Sequence, residues 1–89
     1  MELKSPEVKA ELIARLHRIE GQVRGVEKMV QDERECGAIL QQMAAIRSAV
    51  HTASLVLARA YAERCMLEPA QGDVDTMLDQ LMATLKKLE

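Results

Sequence analysis

The pattern that decides the fold lies in the stretch Arg15–Gly25, whose sequence is RLHRIEGQVRG. Its apolar side chains belong to a series spaced by alternating steps of four and three, made up of Leu12, Leu16, Ile19, Val23, Val26 and Val30. Such spacing places one apolar stripe on an α-helix that packs against another helix. Ser5 provides a capping hydroxyl and Pro6 suits the first helical position. The sequence therefore predicts a first helix over about residues 6–31.

A second apolar series follows a short polar interruption. It consists of Cys36, Ile39, Met43, Ile46, Val50, Ala53, Leu57 and Ala60. Asp32, with Glu35 three residues later, has the form of a capping box, so the second helix is expected to start at Asp32. The apolar spacing continues to about Cys65 or Met66, which predicts an unusually long helix.

The third predicted helix follows a linker marked by Pro69 and Gly72, with Asp73 as its capping residue. Its apolar positions are Val74, Leu78, Leu81, Leu85 and Leu88. The predicted fold class is all-α, with two long antiparallel helices and a short third one in each subunit. A pair of helices leaves one apolar side open, so we expect two chains to form a four-helix bundle. The third helix can then cover an end of that bundle or join two dimers.

Length and composition restrict the possible classes of protein. The chain has 89 residues, which predicts a single domain over residues 1–89, and its small interior favours self-association. No apolar run approaches the roughly 20 residues that span a bilayer, and the N-terminus lacks the apolar core of a signal peptide. We therefore expect a cytoplasmic protein without membrane contact. The absence of a Ser/His/Asp set, a carboxylate pair or a phosphate-binding glycine loop argues against an enzyme.

The two cysteines predict a site between chains. Cys36 and Cys65 are 29 residues apart on one predicted helix, a separation of roughly 44 Å at about 1.5 Å per residue. They nevertheless lie on the same helical stripe, within about 20° of each other. If this helix pairs antiparallel with its copy about Val50 and His51, Cys36 of one chain meets Cys65 of the other. Two thiolates suit Cu(I), or an oxidised or polysulfur bridge. The alternative is that both cysteines are small buried apolar residues.

Arginines supply a candidate surface for DNA, although the formal net charge is −2. Residues 36–62 contain no acidic residue but include Arg47, and Arg15 and Arg18 fall off the apolar series of the first helix. A local patch of positive charge matters more to a nearby duplex than the net charge does. The alternative is that these arginines are solvated or pair with neighbouring glutamates.

These motifs together resemble the CsoR/RcnR/FrmR family of metal- and stress-sensing repressors. The resemblance is carried by Arg15–Gly25, then by Cys36–Gln42 with the sequence CGAILQQ, and finally by Cys65. It implies a three-helix subunit, a dimer of antiparallel hairpins, and usually a tetramer. It also implies binding to double-stranded operator DNA without a helix-turn-helix, and release of DNA when the thiol site is occupied or modified.

Within that family, copper sensors use a Cys-His-Cys set with the histidine four residues before the second cysteine. Cys36 and Cys65 match, whereas Tyr61 stands at the histidine position. The resemblance therefore implies Cu(I) as the inducer. Tyr61 is then either a weak third ligand or a residue that contacts the ligands without binding the metal. Persulfide-sensing members keep the two cysteines without the histidine, and they are the alternative. A metal-binding scaffold without DNA binding is a further one.

Overall fold

The computed structural model describes residues 3–67 and 74–87, and these residues form three helices. They are α1 (Pro6–Gln31), α2 (Cys36–Leu67) and α3 (Val74–Lys86). The predicted all-α fold is confirmed, and α1 has the predicted bounds. Pro6 follows the N-cap residue Ser5, whose hydroxyl oxygen accepts a hydrogen bond from the Val8 amide at 3.3 Å. The predicted linker and the cap at Asp73 lie outside the described residues, as does Leu88.

The connection between α1 and α2 corrects the predicted start of the second helix. Asp32 does not begin α2 but ends α1, with its amide donating to the Lys28 carbonyl at 2.8 Å. Glu33 then adopts a left-handed conformation with φ 54°. The Glu33 amide donates to Val30 at 3.1 Å, and the Arg34 amide donates to Met29 at 3.0 Å. This pair of bonds is a Schellman motif, which satisfies carbonyls at the end of α1 and reverses the chain.

The two long helices lie antiparallel. Val26 and Val30, near the end of α1, border the same groove as Met43 near the start of α2. At the opposite end of the hairpin, Ser5 borders a groove with Arg64. The Cα atoms extend over 55 × 26 × 13 Å, so the chain is elongated and flat. No helix in residues 3–67 and 74–87 is long and apolar enough to cross a membrane.

A single chain covers little of its own apolar surface. Within the described residues, only Ala53 and Leu81 are buried apolar residues, each 6% exposed. Large apolar side chains remain exposed along both long helices, namely Ile13, Leu16, Val23, Val30, Leu40, Met43, Val50, Leu55, Leu57 and Met66. This exposure agrees with the expectation that a helical hairpin leaves an apolar side open. Burial of that side requires another chain.

Candidate thiol site and basic surfaces

Both cysteines lie on one continuous helix, because α2 runs without a break from Cys36 to Leu67. Their separation along the axis is therefore roughly 44 Å at about 1.5 Å per residue. Because of this separation, Cys36 and Cys65 of one chain cannot hold the same ion. The thiol of Cys36 is free and exposed. Within the described part of the chain, no group of three or more His, Cys, Asp or Glu residues could hold a metal.

A single stripe of α2 contains both cysteine positions. At about 100° per residue, its members lie within about 20° of the direction of Cys36. We call this set the thiol stripe, and it comprises Cys36, Met43, Arg47, Ser54, Tyr61 and Cys65. Residues of α2 that border grooves with α1, such as Ile46 and Ala49, point about 80–140° away from it. The thiol stripe therefore lies to one side of the α1 contact, and its member Met43 also borders a groove with α1.

The side chains along this face leave room for a partner. Met43 in the stripe is 52% exposed, and Val50 beside it is 45% exposed. Tyr61 is half-buried. An exposed apolar face around an exposed thiol is the arrangement that an antiparallel copy of α2 can cover.

Glu35 controls the beginning of α2. Its carboxylate accepts a hydrogen bond from the Ala38 amide at 2.9 Å. Hydrogen bonds from the backbone of Gly37, and then of Ala38, lower the pKa of Glu35 below its usual value because they favour the charged form. A Cβ on Gly37 would lie 2.9 Å from one Glu35 carboxylate oxygen, so glycine accommodates this cap. A helix start at Asp32 would place Glu35 inside the helix, whereas the structure shows it as the capping residue next to Cys36.

Arg15 and Arg18 share one surface. They line an open cavity of about 130 Å³ between the long helices, together with Gln22 and Ala49. Arg15 pairs with Glu11 at 3.3 Å, as one of the alternatives supposed. The Nε atom of Arg15 is buried without a hydrogen-bond partner in the described residues. Because an exposed ion pair contributes little, the Arg15 guanidinium can exchange Glu11 for a stronger partner.

Arg47 lies on a different surface from Arg15 and Arg18. It borders a cavity of about 750 Å³ that also contacts Lys87, just beyond α3. The surface predicted from the sequence contains all three arginines and does not include Lys87. Arg59, the other arginine between residues 36 and 62, pairs with Glu63 at 3.1 Å.

Comparison with known proteins gives a consistent result. Residues 8–87 match the profile of a family described as metal-sensitive transcriptional repressors. The copper-sensing transcriptional repressor CsoR of Bacillus subtilis is 36% identical over 85 residues, covering 94% of this chain and 84% of the relative. The copper-sensing transcriptional repressor RicR of Mycobacterium tuberculosis is 36% identical over 77 residues, covering 83% of this chain and 80% of the relative.

Two solved structures have the same fold. The copper-sensing repressor CsoR with Cu(I) from Geobacillus thermodenitrificans matches with a TM-score of 0.86 and 36% identity, covering 98% of this chain and 92% of that one. The nickel-responsive transcriptional regulator InrS matches with a TM-score of 0.79 and 31% identity, covering 100% of this chain and 98% of that one.

Proposed function

Because the chain belongs to the family of metal-sensitive transcriptional repressors, we propose that it is a cytoplasmic copper-responsive repressor. It binds double-stranded operator DNA as a homo-oligomer and releases the DNA when Cu(I), or a similar thiophilic ion, binds Cys36 of one chain and Cys65 of another. The observation that carries this proposal is the continuous α2 helix, which separates the two cysteine positions yet holds them on one stripe that lies to one side of the α1 contact.

The dimer follows from the same helix. Antiparallel pairing of two α2 helices about Val50 and His51 brings Cys36 next to the partner's Cys65 at two equivalent sites. It also covers Met43 and Val50, which are exposed in the single chain. The four long helices then form a bundle, and two such dimers can assemble into a tetramer.

The two thiols suit Cu(I), which is a soft ion and is held by two or three ligands. Cu(I) supplies the bond between subunits when it is bound. Tyr61 lies four residues before Cys65 on the same stripe, where its phenol is a weak third ligand or an outer neighbour of the thiols. The similarity to copper-sensing relatives supports copper as the metal of this chain. Because a nickel-responsive regulator is also similar, the metal has to be identified by experiment.

A second candidate inducer is a persulfide or polysulfide that reacts with the same two thiols. Tyr61 favours this alternative, because a phenol is a weaker ligand for Cu(I) than an imidazole. Anaerobic titration with Cu(I), beside a parallel polysulfide treatment, separates the two inducers by which one releases DNA.

The proposed DNA contacts are Arg15 and Arg18 on one surface and Arg47 on a separate surface. Each arginine offers several donors to a phosphate. Changing each to alanine should weaken operator binding and reduce the salt dependence by about one unit per lost contact, without changing inducer binding. A metal-binding scaffold would show no operator binding in the unchanged protein. Unaltered affinity and salt slope in all three variants would exclude this surface.

The decisive test uses mixed dimers of Cys36→Ala and Cys65→Ala subunits. A mixed dimer keeps one complete site, formed by Cys65 of the first variant and Cys36 of the second, whereas each homodimer keeps none. We expect Cu(I) binding and DNA release to return in the mixture alone, measured by thiolate-to-copper absorption and by fluorescence anisotropy of labelled operator DNA. If the mixed dimers bind Cu(I) as weakly as the two homodimers do, a site between chains is ruled out.

A further inference from the structure

A large open cavity that includes two cationic side chains lies beside α2. Its volume is about 750 Å³, and it is lined by Ala44, Arg47, Ser48, Val50, His51, Ser54 and Lys87. The α2 members recur at steps of three and four, so they belong to one face of the helix. Lys87 lies just after α3 and adds a second fixed cation to this face.

No carboxylate of residues 3–67 and 74–87 lines this cavity. Neither Arg47 nor Lys87 takes part in an ion pair within residues 3–67 and 74–87. In contrast, Arg15 and Arg59 each pair with a glutamate one turn away. The acidic residues of α3, Asp75 and Asp79, do not border the cavity.

The donors around the cavity suit a phosphate group. Arg47 can donate two parallel N–H···O hydrogen bonds to oxygens of one phosphate, and Lys87 adds a compact positive charge. Ser48 and His51 offer further donors. The hydroxyl of Ser54 already donates to the Val50 carbonyl at 3.0 Å, and Ala44 is small enough to leave space.

The proposed dimer strengthens the argument, which at this step rests on the proposed function. The antiparallel register that places Cys36 opposite the partner's Cys65 also places Arg47 opposite the partner's Ser54. Both copies of Arg47 and His51 then lie within a few residues of the two-fold axis. The two Arg47 guanidinium groups brought together there repel each other, and an anion between them lowers that cost.

We propose that this cavity is a phosphate-binding site, occupied by free inorganic phosphate and completed by dimerisation. Binding holds Arg47 and Lys87 together and links α3 to the middle of α2. The site is separate from the thiols, because Arg47 lies 11 residues from Cys36 along the helix, or about 16 Å.

The test is a titration of the full-length, metal-free protein with sodium phosphate at constant ionic strength, followed by NMR shifts of the Arg47, His51 and Lys87 amides. We expect saturable shifts and a higher melting temperature than in chloride. Arg47→Ala should weaken phosphate binding by about 10- to 100-fold, since charged hydrogen bonds are lost. Lys87→Ala should weaken it by roughly 3- to 10-fold. Arg59→Ala is the matched control, because it removes one positive charge outside the cavity.

A second arm distinguishes free phosphate from the phosphates of DNA. If free phosphate does not saturate, but Arg47→Ala and Lys87→Ala weaken operator binding while Arg59→Ala does not, the cavity binds a backbone phosphate. Absence of both effects, or equal losses in Arg47→Ala and Arg59→Ala, would overturn the proposal. The phosphate titration contains no DNA or copper, so its result is independent of whether the repressor function is correct.

Discussion

The substitution Val50→Glu tests whether the chain folds only as a dimer. Val50 is 45% exposed in the single chain and lies next to the proposed two-fold axis. Full burial of a valine contributes about 1.5–3 kcal/mol, so covering the exposed part contributes roughly 0.7–1.4 kcal/mol per chain. The two chains of a dimer together lose about 1.5–3 kcal/mol when this contact is removed.

The charge of the new residue adds to that loss. Two glutamates held in the contact must shed water and repel each other, at a cost of several kcal/mol per ion before relaxation. We therefore expect dimerisation to weaken by at least about 3 kcal/mol, which is about 100-fold in Kd. Within the described residues, Ala53 and Leu81 are the buried apolar residues of the single chain, so the separated chains should also lose helical structure.

Sedimentation equilibrium and far-UV circular dichroism over a range of protein concentrations measure both effects. Thr52→Glu is the control, because Thr52 is exposed and points about 160° away from Cys36 on the same helix. That variant should remain folded and dimeric. A folded Val50→Glu monomer, or a Val50→Glu dimer as stable as the control, would refute the proposed pairing.

Three further predictions concern single positions. Glu33→Gly should raise the free energy of unfolding, measured by urea denaturation, by about 0.5–1 kcal/mol. Glycine removes the left-handed strain of roughly 1–2 kcal/mol at an entropic cost of about 0.5–1 kcal/mol. An unchanged or lower free energy of unfolding would contradict the Schellman assignment. The lowered pKa of Glu35 means that its cap stabilises α2 above the pKa of the unfolded chain and is lost as the pH falls through the folded one. The Ala38 amide resonance should titrate over that acidic range, and should not do so in Glu35→Gln. Tyr61→His should tighten Cu(I) binding by about tenfold or more through an added imidazole ligand. The control variant Tyr61→Phe should leave the Cu(I) affinity nearly unchanged. Equal Cu(I) affinities of the two variants would show that this position is not part of the site.

The sequence alone determined the helices and most of their bounds. Apolar spacing, the hydroxyl of Ser5 and the ring of Pro6 act within a few residues, so they identify α1 without knowledge of its neighbours. The same local periodicity is sufficient to place Cys36 and Cys65 on one stripe of α2. The intersubunit site itself stays a prediction, because it depends on a second chain.

The tertiary structure decided where α1 ends and where α2 begins. Asp32–Glu35 suggested a helix start, yet Glu33 turns the chain in a left-handed conformation and Glu35 caps α2. A polar stretch of this kind is compatible with both structures, and the hydrogen bonds to the end of α1 favour the turn.

The grouping of the arginines also depended on tertiary packing. Arg47 is separated from Arg15 and Arg18 because α1 packs along one face of α2, while Arg47 lies on another. Lys87 borders the same cavity as Arg47 only through the return of α3 along α2, across 40 residues of sequence. Local periodicity records which face of a helix is apolar, but it does not record which neighbour covers each face, because that depends on contacts between residues far apart in the chain.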